Sequence, residues 1–210
     1  MGDNKLDITS TAVEKGIDLV KGFLDKLIGA PIEEYGLLMA DNVKLRRFKN
    51  QLNMVAKAQK MVEESGINIK QISIKTLVPL LEYSSLEDDE TLQQLWSNLL
   101  VNYIDVNQKL ESSIFPFILS QLSSEEIGVI ENLYNRRGTR TSGIFSSRMQ
   151  IDGVIKSNLI RLGIAEIIIV KDKKENGFAV RMFDVDNTKI KITQLGIIFY
   201  ESCTVKNKDI

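Results

Sequence analysis

Histidine is absent from all 210 residues. That excludes Ser-His and Cys-His nucleophiles and any histidine-ligated metal. The single cysteine, Cys203, excludes an internal disulfide. It reads as a small buried hydrophobe in a reducing compartment. Only three prolines, Pro31, Pro79 and Pro116, interrupt the chain, so long helices are permitted. An uninterrupted apolar run of about 18 residues is also missing, which argues against a spanning helix. Excess charge is lacking too. Lys and Arg number 27 against 28 Asp and Glu, for a net charge of -1. That balance disfavours wholesale coating of nucleic acid and leaves only local patches. The phosphate-cradling glycine loops and C-x-x-C are absent. The first residues, M-G-D-N-K-L-D-I-T-S, lack the basic-then-apolar layout of a signal peptide, so a cytoplasmic protein is expected. An enzyme here would have to work with carboxylates, Lys and Tyr alone. We expect a non-enzyme with no cofactor and no metal.

What is present centres on Ile74 to Ile104. Leu92, Leu95, Trp96, Leu99, Leu100, Tyr103 and Ile104 form a continuous apolar stripe at helical spacing. The only tryptophan sits in its middle and is expected to be buried. Glu87, Asp88, Asp89 and Glu90 precede the stripe, where Asp88 or Asp89 can cap the free N–H groups and the negative charge suits the helix dipole. With Glu82 these carboxylates have the chemistry for a divalent cation. They lack the glycine and alternate-residue spacing of a calcium loop, so capping is the reading taken.

Upstream, Thr9 to Thr11 can cap an amphipathic helix with Ile17, Val20, Phe23, Leu24, Leu27 and Ile28 on one face, ending near Gly29. Gly16, Gly22, Gly29 and Gly36 recur every six or seven residues. Close helix contact and turns explain that spacing. Packing against a second copy, or lying on a membrane surface, is the sharper alternative. Residues 32–65 predict a long helix stopped by Gly66, with Leu38, Leu45, Phe48, Leu52, Val55 and Val62 inward. Lys44, Arg46, Arg47, Lys49, Lys57 and Lys60 fall between Asn42 and Val62 with no acidic residue among them. Arg46, Lys49, Lys57 and Lys60 share the face opposite the apolar stripe. A solvated face is one reading; a site for an anionic partner, using Arg46, Arg47, Lys49, Lys57 and Lys60, is the other. We expect this face to be exposed rather than covered by the acidic cluster at 87–90.

Lys75 to Tyr83 predicts a short helix in which Pro79 makes a kink or ends the first turn, and Ser84 and Ser85 make the next turn. Ile114 to Leu122 is a further helical piece, with Pro116 in its first turn. Ser123 and Glu126 spell a capping box for a helix burying Ile127, Ile130, Leu133 and Tyr134. Ser147 to Leu162 is expected to be helical, with Ile151, Val154, Ile155, Leu159 and Leu162 inward and Gly163 as its stop. Then the period changes. Ile164 to Val170, Phe178 to Val185 and Lys189 to Ile192 predict strands, with a turn at Lys171 to Gly177. Thr193 caps a last helix that turns Leu195, Ile198 and Phe199 inward. Helix, helix, hairpin and packing helix is the layout of a winged helix. Its nucleic-acid candidates are Arg136, Arg137, Arg140, Arg148, Lys156 and Arg161, with Lys171, Lys173 and Lys174 in the wing. Asp152, Asp172 and Glu175 are interleaved among them, and such modules also bind proteins.

The run P-L-L-E-Y-S-S-L-E-D-D-E-T-L-Q-Q-L-W-S-N-L-L resembles the signature of the abortive infection alpha family of bacterial anti-phage proteins. The likeness continues in L-R-R-F-K-N-Q upstream and K-I-T-Q-L-G-I-I-F-Y-E-S-C downstream, spanning roughly Lys15 to Cys203. It implies phage exclusion without naming a reaction, and the same winged-helix layout. The combined expectation is a mainly α protein. An N-terminal helical region (1–66) and a central helical bundle (67–122) precede a winged-helix-like α+β domain (123–205). Its expected work is abortive-infection phage defence by binding a phage or host protein or an anionic surface. Membrane contact through the N-terminal helix and self-association remain open. A DNA-binding regulator is the alternative, and a carboxylate-only hydrolase the weakest reading.

Overall fold

The computed structural model describes residues 22–23, 26, 42–109, 111–137, 151–168 and 189–204, with side chains in the first long helix from residue 46 onward. The expected helix over 9–29, apart from Gly22, Phe23 and Lys26, lies outside the described residues. So do residues 32–41, the Lys44 and Leu45 side chains, Arg140, Arg148, the wing and the strand expected at 178–185. Contacts divide the chain into two compact units, Met1–Gln121 and Leu122–Ile210.

In the first unit, helix α1 (Asn42–Ser65) ends at Gly66, whose φ of 63° is the left-handed conformation that glycine adopts without strain. Helix α2 (Ile74–Ser84) starts on the Ser73 hydroxyl, which accepts from the Lys75 amide. Pro79 lies inside it. Helix α3 (Glu90–Ile104) is capped by Asp89 rather than Asp88; its carboxylate accepts from the Leu92 amide at 3.0 Å. Helix α4 (Ile114–Leu119) carries Pro116 in its first turn.

The core forms where α1 lies on α3. Trp96, Leu99, Leu100, Tyr103 and Ile104 are fully enclosed, with Met54, Val55 and Ala58 from α1. Leu52 and Val62, expected inward, are only half-buried, because the contact stripe runs instead through Phe48, Met54, Val55 and Ala58. Helix α2 packs on α4, and Tyr83 meets Phe117 edge-on at 6.5 Å. The linker at 68–70 is tied to the end of α3: Lys70 N–H donates to Ile104 O at 2.7 Å and Val106 N–H to Asn68 O at 3.0 Å.

In the second unit, α5 (Ser124–Asn135) begins with both bonds of the expected Ser123–Glu126 capping box. Helix α6 (Gly153–Arg161) begins later than expected. Asp152 is its N-cap, accepting from the Val154 amide at 2.7 Å, and Ile151 lies before the helix. Val154 is 77% exposed, which corrects its inward assignment. The late start places Val154 in an exposed first turn while Ile151, Leu159 and Leu162 go inward. Gly163 stops this helix at φ 72°.

Strands β1 (Ala165–Ile167) and β2 (Ile190–Ile192) pair antiparallel, with Ala165 opposite Ile192 and Ile167 opposite Ile190. Helix α7 (Gln194–Cys203) is capped by Thr193, whose hydroxyl accepts from Gly196 N–H at 3.0 Å. Phe199 is buried, while Leu195 and Ile198 are half-buried. Gly196 is required by close approach. A Cβ there would overlap the Ile164 carbonyl oxygen and stand 2.8 Å from Ile192 Cγ1. The described protein is thus mainly helical with a two-stranded sheet.

Candidate interaction site

Two stretches whose contacts are 30 to 42 residues apart in sequence, Arg46 to Gln51 and Leu81 to Asp88, meet in the first unit. The last carbonyls of α2 accept only part of their bonds from the backbone, Leu81 O from Ser85 N–H at 3.2 Å and Ser84 O from Glu87 N–H at 3.2 Å, and have lone pairs left over. Side chains from α1 and α3 donate to them. Gln51 Nε2 donates to Leu81 O at 3.0 Å, and Asn50 Nδ2 donates to Ser85 O at 3.1 Å. Gln93 Nε2 reaches Ser84 O at 3.2 Å and Glu87 O at 2.6 Å. Arg47 Nε donates to the Ser85 hydroxyl at 2.9 Å. Arg46 grips Asp88 with two nitrogens, Nε to Oδ1 at 3.0 Å, and Asn50 adds a third bond to that carboxylate at 3.0 Å. One helix turn after another, α1 clasps the turn that leads into α3.

The carboxylates respond in opposite directions. The Asn50 bond, and after it the Arg46 guanidinium, hold the Asp88 carboxyl below the usual carboxylate range. Burial pushes the neighbouring Glu87 up, against the bonds it accepts from the Asp88 and Asp89 amides.

The acidic cluster therefore does engage the basic face, contrary to expectation. Arg46 pairs with Asp88 and Lys57 with Glu90. The physical reason is the α1–α3 packing, which brings the turn before α3 and its first residue beside α1 between Arg46 and Lys57. Arg46 nevertheless stays 69% exposed; Lys57 is 28% exposed, but its partner Glu90 stands in solvent at 87%. Lys60 is exposed and lies 3.7 Å from Glu64 on its own helix. Lys49 is exposed and makes no ion pair among the described residues. Arg46, Lys49, Asn53, Ala56 and Lys60 form one outward stripe at spacings of three and four. Arg47 belongs to the clasp, not to this stripe.

The nucleic-acid candidates of the second unit scatter. Lys156 is 5% exposed, because it shares the inward face of α6 with Leu159; this corrects its place on a binding surface. Arg136 is the half-buried C-cap of α5. Arg137 lies 3.3 Å from the centre of the Tyr134 ring and 3.6 Å from Glu201. Arg161 donates to Asn158 Oδ1 at 3.1 Å, and Lys191 pairs with Glu166 at 2.9 Å. Arg140 and Arg148 fall outside the described residues. Tyr134 donates to Glu201 at 2.7 Å and stacks at 4.6 Å on Tyr200, joining α5 to α7. Burial, followed by the Glu131 carboxylate, pushes Tyr200 up to about 12. Cys203 is a fully buried thiol whose ionisation is pushed far upward by desolvation.

Sequence reasoning missed the amides Asn50, Gln51 and Gln93. The available signal was their position: Asn50 and Gln51 adjoin the Arg46–Arg47 pair, and Gln93 shares a helix turn with the capping carboxylates. Among the described residues no group of three His, Cys, Asp or Glu side chains could hold a metal ion. No described helix is long and apolar enough to cross a membrane.

Comparison with curated proteins and with solved structures gives no match. A family model described as abortive infection alpha matches residues 40–203. That span begins downstream of Lys15 and contains α1 to α7, including both halves of the clasp. With most of its length matched, the chain belongs to the abortive infection alpha family.

Proposed function

We propose that this is a non-enzymatic phage-defence protein that acts by binding a phage or host component through the outer stripe of α1. Family membership supports the defence role. The surface is assigned on one observation: Arg46, Lys49 and Lys60 stand exposed along one helix face while the apolar residues of α1 are spent on α3. An anionic protein surface is the occupant such a stripe suits. Arg46 serves two purposes, since Asp88 holds it in place and leaves it in solvent. The test is a plaque assay in cells carrying Lys49→Glu with Lys60→Glu. Phage protection is expected to disappear while the melting temperature stays close to that of the unaltered protein. Protection that survives the double reversal refutes this surface.

A second reading concerns residues 122–210. Among the described residues the order α5, α6, β1, β2, α7 supports a winged-helix reading, in which α6 would take the recognition position. A DNA-binding regulator is the alternative this order favours. Against it stand the buried Lys156 and the internally engaged Arg137, Arg161 and Lys191. We therefore favour a protein-interaction role for this unit. A duplex-binding titration at low salt separates the two. Binding that weakens steeply with added salt, and less steeply after joint replacement of Arg136, Arg137 and Arg140, would restore the regulator.

A further inference from the structure

Two buried polar atoms of α3, Trp96 Nε1 and Gln93 Oε1, have no hydrogen-bond partner among the described residues. Trp96 is fully enclosed and Gln93 is 5% exposed. Such atoms in a native core call for a physical explanation. Flipping the Gln93 amide is no remedy. Its Nε2 donates to two carbonyls, Ser84 O and Glu87 O, and a flip would set Oε1 against both. The stranded Gln93 atom is therefore an acceptor. The indole nitrogen is a donor and nothing else.

The two residues lie three apart on α3, a spacing that places side chains on one helix face with Cβ atoms about 5–6 Å apart. A donor and an acceptor that share a face without reaching each other have complementary needs. A single water meets both, offering a lone pair to the indole N–H and a proton to the amide oxygen. We propose that α3 holds a buried structural water that accepts from Trp96 Nε1 and donates to Gln93 Oε1. This water links the tryptophan at the centre of the core to Gln93, and through the Gln93 amide to the turn that α1 clasps.

The chain has one tryptophan, so its indole N–H gives a single NMR signal. In the folded full-length chain that proton is expected to show a water cross-peak with the sign of a protein-bound water. A crystal structure is expected to place one water within hydrogen-bond distance of both atoms. Trp96→Phe should remove that water while Gln93 keeps its bonds to Ser84 and Glu87. A folded spectrum without the cross-peak would overturn the assignment. So would a crystal structure in which Trp96 Nε1 bonds Gln93 Oε1 directly. If Trp96→Phe does not fold, the two measurements on the unaltered chain still decide.

Discussion

In residues 1–121 the cations of α1 reach across to another part of the unit and leave a stripe facing outward. In residues 122–210 the described cations turn back onto their own neighbours: Arg137 onto Tyr134 and Glu201, Lys191 onto Glu166, Lys156 into the interior. Both regions look alike as sequence, a cluster of basic residues near a helix. What separates them is the supply of partners. Helix α1 turns its apolar stripe and its clasp residues Arg47, Asn50 and Gln51 inward, so every third or fourth residue on its far side is left to solvent. In the second unit a glutamate stands within reach of Arg137 and of Lys191, and Arg137 also has the Tyr134 ring. Lys49 shows the difference most plainly: it is exposed with no ion pair among the described residues, whereas Arg137 and Lys191 each have one.

The sharpest way to break this comparison is to remove the core that holds α1 in place. Trp96→Ala should cost about 3–5 kcal/mol, as for other buried aromatic truncations. Urea unfolding of the full chain should reveal it as a lower midpoint. A midpoint unchanged from the unaltered protein would mean that α1 is not held by this core.

The second unit has its own vulnerable contact. Gly196→Ala improves helix propensity by about 1 kcal/mol, yet the new Cβ meets the Ile164 carbonyl oxygen and Ile192. Overpacking should win, for a net loss of about 1–3 kcal/mol. Thermal unfolding checks the sign, and a rise in melting temperature would place α7 further from Ile164 and Ile192.

A smaller effect is expected at the clasp. Asn50→Ala removes two hydrogen bonds and leaves the Ser85 carbonyl without that donor, a loss of about 1–2 kcal/mol. The clasp should also carry a pH signature. The Asp88 carboxyl titrates lower in the folded chain than unfolded, so its contribution is present above the ordinary carboxylate range. That contribution is lost as pH falls through the folded value. Glu87, raised by burial, has the opposite sign: its contribution is present below the ordinary range and is lost as pH rises through the raised value. Asp88→Asn should flatten the acid side of a plot of urea midpoint against pH. An acid side as steep as before would mean that Asp88 is not the group responsible.

The smallest expected effect on stability is at Lys49. Lys49→Glu should change unfolding by no more than about 0.5 kcal/mol, as an exposed substitution without partners. If it unfolds the protein instead, the outward stripe is structural and the contrast between the two units disappears.

Much of the fold was legible in the chain alone. The apolar stripe from Leu92 to Ile104, the Ser123–Glu126 capping box, the Thr193 cap and the stops at Gly66 and Gly163 are local signals. Each depends on residues within one or two helix turns, which is the range that periodicity and capping can report. The candidate site was half legible. The basic face and the acidic cluster stood out by composition. Their meeting did not, because it depends on contacts 33 to 42 residues apart. The start of α6 was misplaced: the expectation ran the helix from Ser147, while the chain caps it at Asp152 and exposes Val154.

By itself the sequence determined the helices that begin at Ser123 and Thr193 with their caps, the stops at Gly66 and Gly163, and which face of α3 is apolar, since these follow from interactions between near neighbours. Tertiary structure alone decided that Asp89 caps while Asp88 turns to Asn50 and Arg46. It also decided that Arg47 is spent on Ser85 and Lys156 is buried, while Lys49 faces solvent. A charge or an amide has no fixed preference for water or for a partner until packing brings an acceptor within about 3 Å. No local pattern encodes that distance.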